Sequence, residues 1–324
     1  MPSYADNWPI DFSFLELRPA NVTLQIWLKN SLEQRIVSAT LIGPQSRYSQ
    51  TLSTRYNFRV ARQVRVMPDA WQVTCPDPCY WTPNLPFFYE IHLDVRDARQ
   101  PEGPITSYRL PLALKRLSIG KQSLYCDGER TVLRGITLKL AELADELWPE
   151  LRRKRVTVLS DAPTEEILRN CGDHGIPIIW DCRSQFPTDD QLRWARQQGA
   201  LWGIWVKAKE LIHSDWETEI NPLFWWVELE ADSEPRDLHS DVDFLTDFQT
   251  NLGIILAKAN SIAAWQTCLK ALKEMPFPRG IWTTAPADES DWTARRAACD
   301  RLQAEMAKQP NMAPQEDFSA YWVV

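Results

Sequence analysis

The chain has 324 residues, 44% of them hydrophobic, with a formal net charge of −7; that is enough material for more than one core and, by length, about two domains. A pI near 5.3 leaves no basic stripe to neutralise phosphates, which excludes nucleic acid and anionic membrane surfaces as expected partners. No run reaches the roughly 18 apolar residues of a membrane span, and Met1–Ile10 has neither the basic head nor the apolar core of an export signal, so a cytoplasmic protein is expected.

From Asn21 to about Lys121 the apolar residues alternate with polar ones, as in Val22-Thr-Leu-Gln-Ile-Trp-Leu28, Ile36-Val-Ser-Ala-Thr-Leu-Ile42 and Tyr89-Glu-Ile-His-Leu-Asp-Val95. Period two with Pro, Asn, Gly and Ser turns predicts half-buried strands, and about 100 residues of them predict an immunoglobulin-like β-sandwich over 1–122. In Leu124-Tyr-Cys-Asp-Gly-Glu-Arg-Thr-Val-Leu-Arg-Gly-Ile-Thr137 an Asp-Gly turn separates two short apolar runs, which predicts a hairpin feeding a new strand. Beyond it, short β-branched or aromatic runs alternate with segments of helical spacing. Eight strands are predicted, at Val132–Thr137, Arg155–Ser160, Ile176–Asp181, Ala200–Val206, Leu223–Leu229, Leu252–Ala257, Arg279–Thr283 and Phe318–Val323. The helices between them are expected at Ala141–Arg153, Thr164–Asp173, Thr188–Gln197, Ile262–Glu274 and Asp291–Lys308. Strand-helix alternation with eight strands predicts a compact (β/α)8 barrel over 123–324, so the fold class is a multidomain β plus α/β chain.

Three of these stretches resemble glycoside hydrolase family 2, the β-galactosidase and β-glucuronidase family. Leu133-Arg-Gly-Ile-Thr137 is similar to the family's Leu-Arg-Gly-Val-Asn on the first barrel strand. Trp81-Thr-Pro-Asn-Leu-Pro-Phe-Phe-Tyr89 is similar to its Trp-Ser-Pro-Glu-Asn-Pro-x-Leu-Tyr segment. Thr164 to Gly175 followed by Ile176-Pro-Ile-Ile-Trp-Asp181 is similar to its third-strand region, and the jelly-roll domain that usually precedes the sandwich finds no room here. The resemblance implies retaining hydrolysis, which needs two carboxyl groups about 5 Å apart.

The same resemblance implies where those carboxyls belong, and there the chain departs. Trp205-Val-Lys-Ala-Lys-Glu210 overlays the acid/base motif with Glu210 on the acid and Lys209 where the family has Asn. Strand seven, Arg279-Gly-Ile-Trp-Thr-Thr-Ala-Pro286, has no carboxylate where the nucleophile belongs. Val158-Leu-Ser-Asp-Ala-Pro163 carries Asp161 in place of a substrate-binding His. A lone general acid supplies about 10² to 10⁴ in rate, too little for a glycosidase. A catalytically degenerate carbohydrate-related binding or assembly module is therefore expected, the alternative being an active glycosidase using Glu210 with a displaced nucleophile such as Glu228 or Glu289.

Barrel sites sit at strand C-termini, which makes Asp161, Asp181, Trp205, Lys207, Glu228 and Trp282 the candidate binding residues. Alternation turns Glu228 inward, and Lys207 or Lys258 is expected to pair with Glu228 or Asp181. Trp202, Trp205, Trp226 and Trp282 make the mouth a candidate contact surface for a carbohydrate or protein partner. The 7 cysteines lack zinc-ligand spacing, and even Cys75 and Cys79 have no histidine nearby, so buried thiols and neither metal nor cofactor are expected. His174 is expected in a capping or surface role.

Overall fold

The computed structural model describes residues 8–61, 70–120, 122–138, 145–207, 224–229, 252–257, 277–284, 291–308 and 318–324. The alternating N-terminal part forms eight strands: β1 (Ile10–Arg18), β2 (Asn21–Leu28), β3 (Gln34–Gln45), β4 (Thr54–Asn57), β5 (Arg59–Val60), β6 (Trp71–Pro76), β7 (Phe88–Asp97) and β8 (Ile105–Leu112). They make two antiparallel sheets of four, ordered β1-β2-β6-β5 and β4-β3-β7-β8. Val22, Leu24 and Ile26 from one sheet and Leu41, Ile91 and Leu93 from the other share a single buried core. The period-two pattern is thus the pair of inner faces meeting, with the polar alternates turned outward.

A three-stranded sheet follows, β9 (Leu117–Gly120), β10 (Ser123–Cys126) and β11 (Glu129–Thr131). Its two-residue turn is Asp127-Gly128, with φ of 51° and 83°. A type I′ hairpin requires positive φ at both positions, which Gly adopts freely and Asp tolerates.

The barrel strands are β12 (Leu133–Thr137), β13 (Thr157–Ser160), β14 (Ile178–Asp181), β15 (Leu201–Lys207), β16 (Phe224–Leu229), β17 (Leu252–Ala257), β18 (Arg279–Thr283) and β19 (Ala320–Val323). All pair in parallel in chain order, and β12 closes on β19 with Leu133 opposite Ala320 and Ile136 opposite Val323. The eight predicted strands are these eight, shorter by one or two residues at several ends. The hairpin sheet is fastened to the strands' N-terminal ends, where Leu124 N donates to Ser319 Oγ at 3.2 Å and Arg279 Nη2 to Gln122 Oε1 at 2.7 Å.

The described helices are α1 (Trp148–Arg153), α2 (Glu165–His174), α3 (Asp189–Gln197) and α4 (Trp292–Met306). The first is shorter than expected: a 3₁₀ turn at Asp145–Leu147 leads into it, and a proline sits in its first turn, where no backbone N–H is needed. Thr164 caps α2 by accepting from Ile167 N, and Gly175 ends it at φ 69°. Thr188 and Gln191 make a reciprocal capping box on α3. His174 is buried, its ring stacked on Trp148 at 6.0 Å, which replaces the expected surface role with packing. The helix expected at Ile262–Glu274 lies outside the described residues. Arg134 of the Leu-Arg-Gly run faces outward and holds α4, with Nε on Asp300 Oδ1 and Nη2 on Gln303 Oε1, both at 2.9 Å.

The chain divides into two compact units, Met1–Arg116 with Thr188–Gly199, and Leu117–Pro187 with Ala200–Val324. Helix α3 therefore groups with the sandwich. There the buried Lys115 donates Nζ to Gln198 O at 2.8 Å, meeting the negative end of that helix.

Candidate functional site at the barrel mouth

Strand alternation and register decide what faces the barrel axis. Asp181 lies opposite Trp205, Trp205 opposite Trp226, and Lys207 opposite Glu228, so these side chains point to one interior. Across the closure, Gly135 lies opposite Trp322 and Trp282 opposite Trp322. The interior is filled with indole. Trp205 packs on Trp322 at 5.7 Å and on Trp282 at 6.1 Å, and Trp226 on Trp322 at 6.2 Å. Glycines make the room: a Cβ on Gly135 would stand 1.5 Å from the Trp322 ring, and one on Gly253 2.7 Å from Trp226. Each buried indole removes ~200 Å² from water, worth about 5 kcal/mol of transfer free energy as an upper estimate. The Nε1–H groups of Trp205, Trp226 and Trp322 find no acceptor among the described residues, so this layer is held by packing.

Above the indoles sits Arg183, two residues past Asp181. Its Nε reaches Asp181 Oδ1 at 2.8 Å and its Nη2 reaches Oδ2 at 2.7 Å, a two-pronged pair, while Nη1 lies 3.4 Å from Glu228 Oε2. The other Glu228 oxygen, Oε1, accepts from Trp282 Nε1 at 3.1 Å. The guanidinium carbon lies 4.1 Å from the centroid of a Trp205 ring and 5.3 Å from one of Trp282, within range of cation–π attraction. All three ionic side chains are at most 18% exposed. Burial pulls the Arg183 pKa down, but the hydrogen bonds and charge of Asp181, then those of Glu228, raise it above its ordinary value. Every oxygen of both carboxylates thus already accepts at least one hydrogen bond.

A lysine, Lys207 or Lys258, is the expected partner at the mouth; among the described residues the cation there is Arg183. Lys207 stands in register with Glu228 yet makes no ion pair among the described residues, because Arg183 reaches both acids at once and a lysine has no planar fork to do so. Lys258 lies outside the described residues, as do Glu210, Glu230, His213, His239, Asp288 and Glu289. Asp161 is exposed, and it contributes its backbone carbonyl, which accepts from Trp180 Nε1 at 3.2 Å. The expected open aromatic surface is corrected too: Trp202, Trp205 and Trp226 are at most 1% exposed, since inward residues of a barrel stack in filled layers. Only Trp282 is partly exposed. Cys182 is buried, and burial first, then the Asp181 charge, pushes its pKa up, the opposite of an activated nucleophile. The sequence did hold a signal for Arg183: in extended chain, positions two apart share a face, so Asp181-x-Arg183 at a strand end pre-aligns the pair.

No family model and no curated sequence matches this chain. Solved structures do match it. A β-glucuronidase of Bacteroides uniformis aligns with a TM-score of 0.57 at 11% identity, over 97% of this chain and 45% of its own. One of Bifidobacterium dentium, solved with coumarin-3-O-glucuronide, gives 0.55 at 12% identity, over 97% and 59%. A family 2 glycosyl hydrolase of Bacteroides cellulosilyticus gives 0.52 at 9% identity, over 98% and 43%. The fold is that of the family 2 glycosidases. The chain spans about half the length of these structures. Placed on that family 2 fold, the Arg183 cluster occupies the C-terminal ends of β14, β16 and β18, the end where barrel enzymes do their chemistry.

Among the described residues no group of three His, Cys, Asp or Glu side chains is placed to hold a metal ion, and no helix is long and apolar enough to cross a membrane.

Proposed function

We propose that this protein is a non-hydrolytic relative of the family 2 glycosidases, using the sandwich and barrel as a carbohydrate-related binding or assembly module. The observation that carries the reading is the Arg183 guanidinium, which ties up Asp181 on both oxygens and bonds Glu228. A retaining mechanism needs one carboxyl to donate a proton and another free to attack. Of the two displaced nucleophiles of the rival reading, Glu228 is committed to Arg183 and Trp282 and Glu289 lies outside the described residues, while β18 brings no carboxylate of its own. The immunoglobulin-like reading of the sandwich is supported by its strand orders, which correspond to A-B-E-D and C′-C-F-G. A reducing, cytoplasmic setting is supported by free thiols at Cys75, Cys171, Cys182 and Cys299, all buried.

The test is direct. Purified protein incubated with a panel of nitrophenyl α- and β-glycosides is expected to release no nitrophenol above a boiled control. Turnover that disappears in Glu210→Gln would overturn the proposal and restore an active glycosidase.

A further inference from the structure

The β4-β3-β7-β8 sheet of the sandwich carries a cavity of about 320 Å³ on its outward face. Register builds it. Ser38, Asp94 and Ser107 lie in one row across β3, β7 and β8, and Thr40, His92 and Arg109 in the next. Arg55 enters from β4, opposite Ile42. Since Leu41, Ile91 and Leu93 turn into the core, their polar neighbours all turn out.

The charges in this cavity are unevenly paired. Asp94 accepts from Ser38 Oγ on Oδ2 and from Ser107 Oγ on Oδ1, both at 2.7 Å. The His92 ring is bonded to Glu90. Arg55 and Arg109, one from each outer strand of the sheet, have no carboxylate partner among the described residues, so two guanidinium groups flank one space with their donors unspent. The lining thus sets two guanidinium groups against the one carboxylate of Asp94.

We propose that this cavity binds a small hydroxylated anion, a carboxylate or phosphate ester on a body the size of a monosaccharide. Arg55 and Arg109 hold the anionic group, for which a planar fork of N–H donors is the matching shape. A carboxylate has about four lone-pair sites; the serines use two at Asp94, and the others accept hydroxyls of the ligand while repelling a bare anion. Thr40 Oγ1, whose proton goes to Asn57 Oδ1 at 3.2 Å, adds an acceptor beside them. The volume lies at the small end of the roughly 300–1,000 Å³ of ligand pockets, which suits a single monosaccharide-sized unit. Every residue of this site belongs to the sandwich unit, and none lines the barrel mouth.

The full chain is titrated calorimetrically with D-gluconate, with inorganic phosphate, and with sorbitol as an uncharged polyol. Gluconate is expected to saturate one site, phosphate to bind more weakly and sorbitol not to bind. Arg55→Gln and Arg109→Gln, both at exposed positions that leave the fold intact, are each expected to weaken gluconate about tenfold or more. Asp94→Asn is expected to narrow the gap between gluconate and phosphate. Gluconate heats that do not saturate, gluconate affinity unchanged in both arginine variants, or sorbitol binding as well as gluconate would each overturn the proposal.

Discussion

Replacing Arg183 with Met tests how far one side chain holds the barrel mouth together. Met keeps the apolar stem against Trp205 and removes the charge and the fork. The variant loses a two-pronged charge-assisted pair to Asp181, a longer contact at 3.4 Å to Glu228 and two aromatic contacts at 4.1 and 5.3 Å. Removing one partner of a buried ion pair costs about 3–5 kcal/mol, chiefly by stranding the remaining charge. Here two acids are stranded close together, but their side chains are 18% and 11% exposed, so water entering the mouth screens part of the repulsion. The lower end, about 3 kcal/mol, is therefore expected, which for a unit of this size is a fall in Tm of about 6–12 °C by calorimetry. Arg183→Lys keeps the charge without the planar fork, and about half the loss is expected. A Tm within about 2 °C of the parent for Arg183→Met would refute the reasoning and show the mouth to be solvated rather than cross-linked.

The two acids should respond unequally. Asp181→Asn loses one of the two short bonds to Arg183 and the charge that faces it and is expected to cost about 2–3 kcal/mol, whereas Glu228→Gln still accepts from Trp282 and gives up only a 3.4 Å contact and is expected to cost about 1 kcal/mol; equal melts would contradict that order. Gly135→Ala forces a methyl to within 1.5 Å of the Trp322 ring, and a loss of about 3 kcal/mol or more is expected, partly recovered by Trp322→Leu in the same chain; chemical denaturation of single and double variants measures it. Asp94, whose hydrogen bonds from Ser107 and Ser38 hold its pKa below the ordinary carboxylate value, contributes stability that is present above the unfolded pKa of about 3.9 and lost as pH falls through its folded value. Asp94→Asn should therefore lower Tm at pH 7 and leave it nearly unchanged near pH 2; an equal loss at both would remove the carboxylate's charge from the explanation.

The fold was legible because its signals are local and repeated. Alternation in β2, β3 and β7, the Asp127-Gly128 turn and the Thr164 and Thr188 caps each act over a few residues, and each agrees with its neighbours. The length of α1 was misread because Ala141–Trp148 keeps helical spacing while Pro149 restricts where a helix can begin. The site was harder, because it joins β14, β16 and β18, and the residue that joins them comes from a loop. Polarity at strand ends found Asp181, Glu228 and Trp282, the acids and the indole donor. It could not say which cation reached them, since Lys207 is the cation in register and Arg183 is the one with the reach and shape to bond both acids.

That difference bears on function as well as on prediction. A lysine paired with Glu228 would leave both Asp181 oxygens free to accept from a ligand. The Arg183 fork engages both Asp181 oxygens and one of Glu228, Trp282 holds the other, and the guanidinium covers the face of Trp205, so each oxygen of these two acids already accepts a hydrogen bond and, of the four candidate tryptophans, Trp282 alone is partly exposed. Arg183→Met therefore probes stability and the proposed lack of hydrolysis together: a variant that melts early yet still releases no nitrophenol would trace the proposed inactivity to the absence of a carboxylate on β18 rather than to the plug above it.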